Sequence, residues 1–556
     1  MAPSPLEPSP FIPNDATPLA TNPDDWWRGG VIYEIYVRSF ADASGDGTGD
    51  LAGITEKLPY VRDLGVDGIW LTPFFKSPMR DFGYDITDYK AVDPLFGSLE
   101  DFDRLVQTAE ALGLKVVVDL VFSHTSDQHP WFRESRASRT GPKADWYVWA
   151  DSKPDGTPPN NWLSIFGGSA WTWEPRRRQY YLHNFLKEQP DLNHHQPEVL
   201  DALLDVAEFW LQRGVKGLRL DTANFYMHDP LLRDNPPWPA GQPYQGEGRA
   251  DNPYFLQRHL YDKSQPENLR FLRRLRQLLH RYPGSMAVGE IADDEPLVRT
   301  AEYIQADVLP TAYNFSFLAE RFSPGYIAET LQAFERATGH GWPSWAFSNH
   351  DVSRVVSRWT GSKPSAEAAK AFLALLLSLR GTIFLYQGEE LGFAEAELTY
   401  EQLQDPYGLA FWPDMKGRDG CRTPMAWDAH RAHGGFSSVS PWLPVAPEHL
   451  RQAVSLQQED PGSVLTFARQ LLAWRKAHPT LTKGGIKFLQ ADEHLLVFER
   501  RHEGQAHWCA FNFSQAPQTL PLPSALGKRL VAHLASAEGE SLRLQPFGVF
   551  LTEAQG

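Results

Sequence analysis

The sequence predicts an α/β fold built on parallel strands, either closed into a barrel or wound as an open sheet. Three observations predict it. Short, nearly continuous apolar runs recur along the chain, as strands buried on both faces require. Amphipathic helical patterns fill the intervals between them. Charged and histidine residues gather directly after the runs, at the strand ends where α/β folds carry their sites.

In order, the runs are Val31 to Tyr36, Val66 to Leu71, Leu114 to Val121, Val215 to Leu220, Met286 to Val288, Trp345 to Phe347 and Ile383 to Tyr386. Between the second and third, Ser98 and Asp101 form a capping box ahead of Phe102, Leu105, Val106, Ala109 and Leu112, and Gly113 supplies the stop. That is one complete strand, helix, strand unit. Seven readable strands with helices between them favour the closed barrel, while pattern alone leaves the open sheet in play.

A chain of 556 residues exceeds one ordinary core. Residues 1–25, rich in Pro and Ser, read as a disordered leader with no secretory apolar stretch. The barrel is expected over residues 26–122 and 194–480. Residues 123–193 are too long for a plain connection and rich in Trp, Pro, Gly and Asn, which suggests an insertion domain after the third strand. The chain is irregular from Arg422 through Gly434, Gly435 and Pro444 until a helix near Leu465 to Trp474. Over residues 481–556, alternation such as Leu495 to Phe498 and Trp508 to Phe513 predicts a C-terminal antiparallel β domain.

Composition narrows the function. A formal charge of -16 argues against a nucleic-acid partner, which needs clustered Lys and Arg to neutralise phosphates. Cys421 and Cys509 form neither a disulfide framework nor zinc-ligand spacing, so free thiols in a reducing, cytoplasmic compartment are expected. The longest apolar run, Phe372 to Leu379, is far short of a membrane span. A small neutral substrate is compatible with all of this.

The run Asp42 to Asp50 offers oxygen ligands at Asp42, Ser44, Asp46 and Asp50 plus the Thr48 carbonyl, with Gly47 permitting a sharp turn. Its spacing is EF-hand-like without the terminal Glu, and it predicts a structural Ca2+ or Mg2+ and no organic cofactor. Elsewhere, strand ends carry Asp119 and His124, Arg219 and Asp221, Glu290, and His350 with Asp351. In a barrel these ends share one rim, so several carboxylates, two histidines and an arginine converge there.

At this point the sequence resembles the α-amylase superfamily. The segments Asp119 to His124 (DLVFSH), Gly217 to Asn224 (GLRLDTAN), Gly289 to Ile291 (GEI) and Ser348 to Asp351 (SNHD) are similar to its four principal motifs, in order. Gln189 to Asn193 (QPDLN) resembles a fifth, and the likeness runs from Trp26 into the C-terminal β domain. The resemblance implies a (β/α)8 TIM barrel with an insertion domain after strand 3 and a C-terminal antiparallel β-sandwich. It also implies a retaining glycoside hydrolase of the exo-acting, oligo-1,6-glucosidase-like group of bacterial α-glucosidases. That group includes transglucosylating members.

Carried over residue by residue, the resemblance makes Asp221 the nucleophile, Glu290 the acid/base and Asp351 the group that grips ring hydroxyls. Arg219, two positions before Asp221 on the strand, points to the same side and can keep that carboxylate ionised. Glu290 then needs a raised pKa. His124 and His350 would hydrogen-bond the sugar, Tyr84 would be the platform beneath it, and Phe166 and Phe185 would wall the subsites. Asp119 is expected to brace the rim. Ser123 stands where the family usually has Asn. Asp81 and Arg418, the latter in RDGCRTP, would pair to close a pocket around one terminal glucosyl unit.

The resemblance also implies, from Thr222 after the nucleophile, a preference for α-1,4 linkages such as maltose, with water or hydroxyl compounds as acceptors. The chain would act as a monomer or homodimer. Alternatives in the superfamily are an oligo-1,6-glucosidase and a sucrose or trehalose isomerase. A non-catalytic amylase-fold scaffold fits less well, since all three carboxylates are present and no membrane span is predicted.

Overall fold

The structure, a computed structural model, describes residues 25–241, 252–339, 341–361, 363–522 and 526–554. Most of the proposed leader, residues 1–24, lies outside the described residues. Eight parallel strands form the central sheet: β1 (Val31–Ile35), β2 (Gly68–Leu71), β3 (Lys115–Leu120), β4 (Gly217–Leu220), β5 (Met286–Ile291), β6 (Thr311–Asn314), β7 (Ser344–Ala346) and β8 (Thr382–Tyr386). Their order is β6-β5-β4-β3-β2-β1-β8-β7, so strands adjacent in sequence are adjacent in the sheet. The Thr311 hydroxyl, at the start of β6, lies 2.7 Å from Ser344 Oγ on β7 and bonds the Trp342 carbonyl at 2.8 Å, stitching the remaining seam. The sheet closes as a barrel.

Each strand is followed by a helix: α1 (Leu51–Leu64), α2 (Leu99–Ala111), α3 (Pro197–Gln212), α4 (Asn268–Leu279), α5 (Pro296–Tyr303), α6 (Pro324–Thr338), α7 (Ala366–Ser378) and α8 (Val464–Ala477). The capping box at Ser98 and Asp101 starts α2, whose Phe102, Leu105, Val106 and Ala109 are buried. Gly113, with φ +80, takes the left-handed conformation that lets the chain leave the helix.

Strand parity sorts the two cores and aims the site. Val31, Tyr33 and Ile35 join the large core shared with the helices, whereas Ile32, Trp70, Val117, Met286, Val288, Tyr313, Ala346 and Phe384 form a separate cluster. The inward parity of Ile32, Val117 and Val288 also carries Glu34, Asp119 and Glu290. Buried charges inside a barrel therefore arise from the same alternation that builds its core. β6 is the strand that the apolar runs did not reveal. Its four residues, Thr-Ala-Tyr-Asn, are bounded by polar groups, and their burial comes from the closed sheet.

Between β3 and α3 the chain makes a helix (Pro130–Ala137) and a three-stranded sheet (Trp149–Ala150, Trp171–Glu174 and Gln179–Leu182) around Val148, Trp162, Trp171 and Leu182. Isolated bridges from His124 to Asp191 and from Tyr147 to Leu192 tie this insertion to the end of β3.

The C-terminal strands are β9 (Gly485–Ala491), β10 (Leu495–His502), β11 (Gln505–Asn512), β12 (Gln518–Pro521), β13 (Leu526–Glu538) and β14 (Ser541–Ala554). β14 pairs with β11 through its second half and with β12 through its first, so one continuous antiparallel sheet supplies the expected β domain. Leu496, Phe498, Cys509 and Phe511 face the large core, and Leu495, Val497, Trp508 and Phe550 form the domain's own cluster. Cys421 and Cys509 are buried and unpaired with each other. Among the described residues no helix is long and apolar enough to cross a membrane.

Candidate active site

Arg219, at the end of β4 and fully buried, organises the rim. Its Nη1 donates to Asp221 Oδ1 at 2.5 Å and to Asp119 Oδ1 at 2.9 Å, while Nη2 lies 2.7 Å from Glu290 Oε1. The Tyr313 hydroxyl accepts from Arg219 Nη2 at 3.0 Å and donates to Glu290 Oε1 at 3.2 Å. One guanidinium thus holds three carboxylates, with the Asp221 and Glu290 groups on its two terminal nitrogens.

The expected charge pattern is present. Burial, reinforced by the Asp221 and Asp351 charges and opposed by Arg219, pushes the Glu290 carboxyl up to about 8. Asp351 goes the other way: burial would raise it, but His350, Arg418, Arg422 and Arg219 together hold it well below the usual carboxylate range. A carboxyl that keeps its proton at neutral pH stands beside carboxylates tied to arginines. That pair of properties is what acid/base chemistry at a strand-end rim requires.

Asp119 touches no open space. It is fully buried and accepts from Arg219, from Trp70 Nε1 at 3.1 Å and from the Tyr84 hydroxyl at 3.0 Å, which is the bracing arrangement expected of it. The Tyr84 ring stacks on His350 with centroids 5.4 Å apart and planes at 10°, and its hydroxyl lies 2.7 Å from His350 Nε2. His350 Nδ1 sits 2.5 Å from Glu34 Oε1, and its Nε2 is 3.2 Å from Asp351 Oδ2. Burial pushes His350 down to about 3 and Glu34 well up. His350 is thus held between Glu34 on its Nδ1 side and Asp351 with the Tyr84 hydroxyl on its Nε2 side.

His124 is held from two sides. Its Nδ1 is 2.9 Å from Ser123 Oγ and its Nε2 is 2.9 Å from the Tyr84 carbonyl. Ser123 also reaches Thr222 Oγ1 at 3.1 Å, so the smaller residue links the histidine to the position after Asp221. Thr222 adopts φ 39 and ψ 50, a left-handed conformation that a β-branched residue rarely takes. In return its N–H donates to Glu290 Oε2 at 2.9 Å and its hydroxyl donates to Asp221 Oδ2 at 3.2 Å.

Arg418 is brought to the same place from 337 residues beyond Asp81: its Nη2 donates to Asp81 Oδ1 at 2.8 Å and its Nη1 to Asp351 Oδ1 at 3.2 Å. Its guanidinium lies 5.3 Å from the Phe166 ring centre, and Phe166 and Phe185 meet edge to face at 6.3 Å. Both phenylalanines are half-buried.

Several partners were not singled out from the sequence. Gln189 Nε2 donates to Asp81 Oδ2 at 3.1 Å and lies 3.1 Å from His124 Nε2; its place in the QPDLN segment was the available signal. Asp405 accepts from Arg418 Nη2 at 2.7 Å, and Arg422 donates to Asp351 Oδ1 at 2.9 Å. Arg422 belongs to the RDGCRTP segment, while nothing marks Asp405. Glu34 and Tyr313 are inward positions of β1 and β6, readable only once the barrel parity is known.

The acidic loop is arranged as a turn closed on its own amides. Asp42 accepts from Gly45 N at 2.6 Å and Gly47 N at 2.8 Å, Asp46 accepts from Thr48 N at 2.8 Å, and Ser44 donates its hydroxyl to Asp42 at 3.0 Å. Asp50 caps α1 through Gly53 N at 2.6 Å and also accepts from Ala43 N and Ser44 N. Gly47, at φ +94, makes the bend. Among the described residues, the three carboxylates do not converge within 4.8 Å of one another. Chemically the donors, all oxygen, suit a hard cation.

The fold, the strand-end rim and the four ordered motifs define one class: the chain belongs to the α-amylase family, and residues 34–484 match its alpha amylase catalytic domain. Among its relatives is the "Probable alpha-glucosidase" of Rhizobium meliloti (strain 1021), 55% identical over 544 residues that cover 97% of this chain and 98% of that one. The crystal structure of an alpha-glucosyl transfer enzyme, also 55% identical, superposes with a TM-score of 0.93 over 95% of this chain and 99% of that one. The oligo-1,6-glucosidase of Heyndrickxia coagulans is 37% identical over 562 residues, covering 94% of this chain and 98% of its own.

Proposed function

We propose that the chain is a retaining, exo-acting α-glucosidase. It would remove terminal α-1,4-linked glucose from short α-glucosides such as maltose and transfer it to water or to alcohol and sugar hydroxyls. The contact between Arg418 and Asp81, continued to Asp351, carries this reading, because it closes one end of a cleft beside the Asp221 and Glu290 carboxyls. The 55% identical relatives, described as an alpha-glucosidase and as a glucosyl transfer enzyme, support it.

In this reading Asp221 attacks the anomeric carbon of the terminal glucose while Glu290 gives its proton to the departing glycosidic oxygen. The carbon–oxygen bond to the leaving group breaks as the bond to Asp221 forms. Esterified Asp221 no longer carries charge, so one of the causes that raises Glu290 is removed and its pKa falls, which favours the carboxylate left by the first step. A water or hydroxyl acceptor then gives its proton to Glu290 and attacks the same carbon, releasing glucose or a transfer product. Asp351, kept ionised by its arginines, grips ring hydroxyls most strongly in the distorted transition state.

The second reading is an oligo-1,6-glucosidase, favoured by the 37% identical relative. The test is kcat/KM for maltose, isomaltose and sucrose side by side, with NMR of the first product. Maltose preference and an initial α-anomer are expected, and Asp221→Asn should abolish turnover in a folded protein. A β-anomer released first would overturn the nucleophile assignment. The Asp42 to Asp50 loop is proposed to hold a structural Ca2+ or Mg2+. A reducing, cytoplasmic setting suits the buried thiols of Cys421 and Cys509.

A further inference from the structure

We propose that His478, His507 and Glu553 form a transition-metal site, matched to Zn2+, that ties the end of α8 to the C-terminal sheet. One ligand atom from each residue lies within 4.8 Å of the others. His507 and Glu553 are directly opposed across the β11 and β14 pair, and His478 follows α8 immediately, with its ring 4.8 Å from that of His507. The three side chains thus come from two strands and a helix end that the fold has already fixed.

The hydrogen bonds orient both rings toward the cluster. His478 Nδ1 lies 2.7 Å from the Trp474 carbonyl, which can only accept, so Nδ1 carries the proton and Nε2 keeps its lone pair. His507 Nδ1 is 2.6 Å from Thr480 Oγ1, whereas its Nε2 is buried and has no hydrogen-bond partner in a residue only 2% exposed. An imidazole nitrogen withdrawn from water and left unpaired is costly, and a metal ion would resolve that cost. Ligating histidines characteristically fix the far ring nitrogen in this manner.

Two imidazoles and one carboxylate are a zinc donor set with a fourth position left for water, and they offer too few oxygens for Ca2+ or Mg2+. Arg500, the neighbouring cation, is turned away: its guanidinium donates to the carbonyls of Gly485, Ser378, Leu481 and Gly484. The site would be structural. Arg475, just before the end of α8, donates to the carbonyls of Gly29 and Gly381, which lead into β1 and β8. That places His478 at the strand-start end of the barrel, opposite the rim that carries Asp221.

The experiment equilibrates the full-length protein with Zn2+, removes free ion, and measures retained metal by elemental analysis alongside the melting temperature. One Zn2+ per chain and a raised melting temperature are expected. Both are lost in His507→Gln and in Glu553→Gln, while kcat/KM of the native protein is the same with and without chelator. The partly exposed His478→Gln gives a third variant in which folding is less at stake. A native protein that retains no Zn2+, or folded variants that retain as much as the native protein, overturns the proposal.

Discussion

Arg219 Nη2 lies 2.7 Å from Glu290 Oε1, yet the Glu290 carboxyl is pushed up to about 8. The explanation is that burial, reinforced by the Asp221 and Asp351 charges, outweighs an Arg219 charge that is divided among Asp119, Asp221 and Glu290. In the proposed mechanism Glu290 must be protonated to serve as the acid, so kcat/KM for maltose should fall as pH rises through about 8. Removing the Asp221 charge with Asp221→Asn should lower the Glu290 pKa, since that charge is one of the causes raising it. Titration followed by carbon NMR of the glutamate side chain checks this, and an unchanged Glu290 would count against the coupling.

The pair of Asp81 and Arg418, proposed to close the pocket, makes a second prediction. Arg418→Ala would leave the buried carboxylates of Asp81 and Asp405 without their cation, a loss of about 3–5 kcal/mol that falls on folding as well as catalysis. Asp81→Asn is the cleaner change, because Arg418 keeps Asp405 and Asp351. It loses one charge-assisted contact, on the order of 1.5–3 kcal/mol, and should lower kcat/KM for maltose by roughly 10- to 100-fold with little change in melting temperature. Equal kcat/KM in the variant would show that the pair is only an ion pair at the cleft edge.

The parts of the barrel that were legible in the sequence are those whose burial is written locally. β3 is Lys-Val-Val-Val-Asp-Leu, a run that needs both faces covered, and its penultimate Asp119 announces a rim. β6 carries no such run, and the closure that buries it is a property of the whole sheet. The site divides similarly. Asp221 and Glu290 stand at strand ends and could be aligned with motifs. Gln189, 108 residues from its partner Asp81, and Asp405, in an irregular connection, acquire their roles only when the insertion and the loop after β8 fold over the rim. Arg219 was expected to serve Asp221 and in fact serves three carboxylates, which no spacing within β4 could reveal.

The acidic loop gives a third prediction. Asp42, Asp46 and Asp50 now accept from their own amides, so an ion would have to draw these oxygens together around Gly47. Because it would bind the folded chain alone, Ca2+ or Mg2+ at about 100 times its dissociation constant should add roughly 2.7 kcal/mol of stability. The measurement is the melting temperature in chelator and in each ion, with elemental analysis to detect a slowly exchanging ion. Identical melting curves and no retained ion would leave the loop as the hydrogen-bonded turn and N-terminal cap of α1.

The proposed α-1,4 preference rests on Thr222, whose contacts reach both the proposed acid/base and the proposed nucleophile. Its backbone N–H bonds Glu290 Oε2, and its hydroxyl bonds Asp221 Oδ2 and Ser123 Oγ. Thr222→Val keeps the β-branch and the backbone bond but replaces the hydroxyl with a methyl group of nearly the same size. It removes two hydrogen bonds and leaves Ser123 with His124 alone. The left-handed backbone at φ 39 is no better suited to Val than to Thr, so a modest loss of stability common to all substrates is expected. What should change between substrates is the approach of the leaving group. The ratio of kcat/KM for maltose to that for isomaltose is expected to fall, by at most on the order of 1–3 kcal/mol in differential barrier. Taking the ratio cancels effects that the two sugars share, including any change in active fraction. A native enzyme that prefers isomaltose would reverse the α-1,4 reading, and a ratio unmoved by the substitution would shift the determinant to another wall of the cleft, such as Phe166 or Phe185.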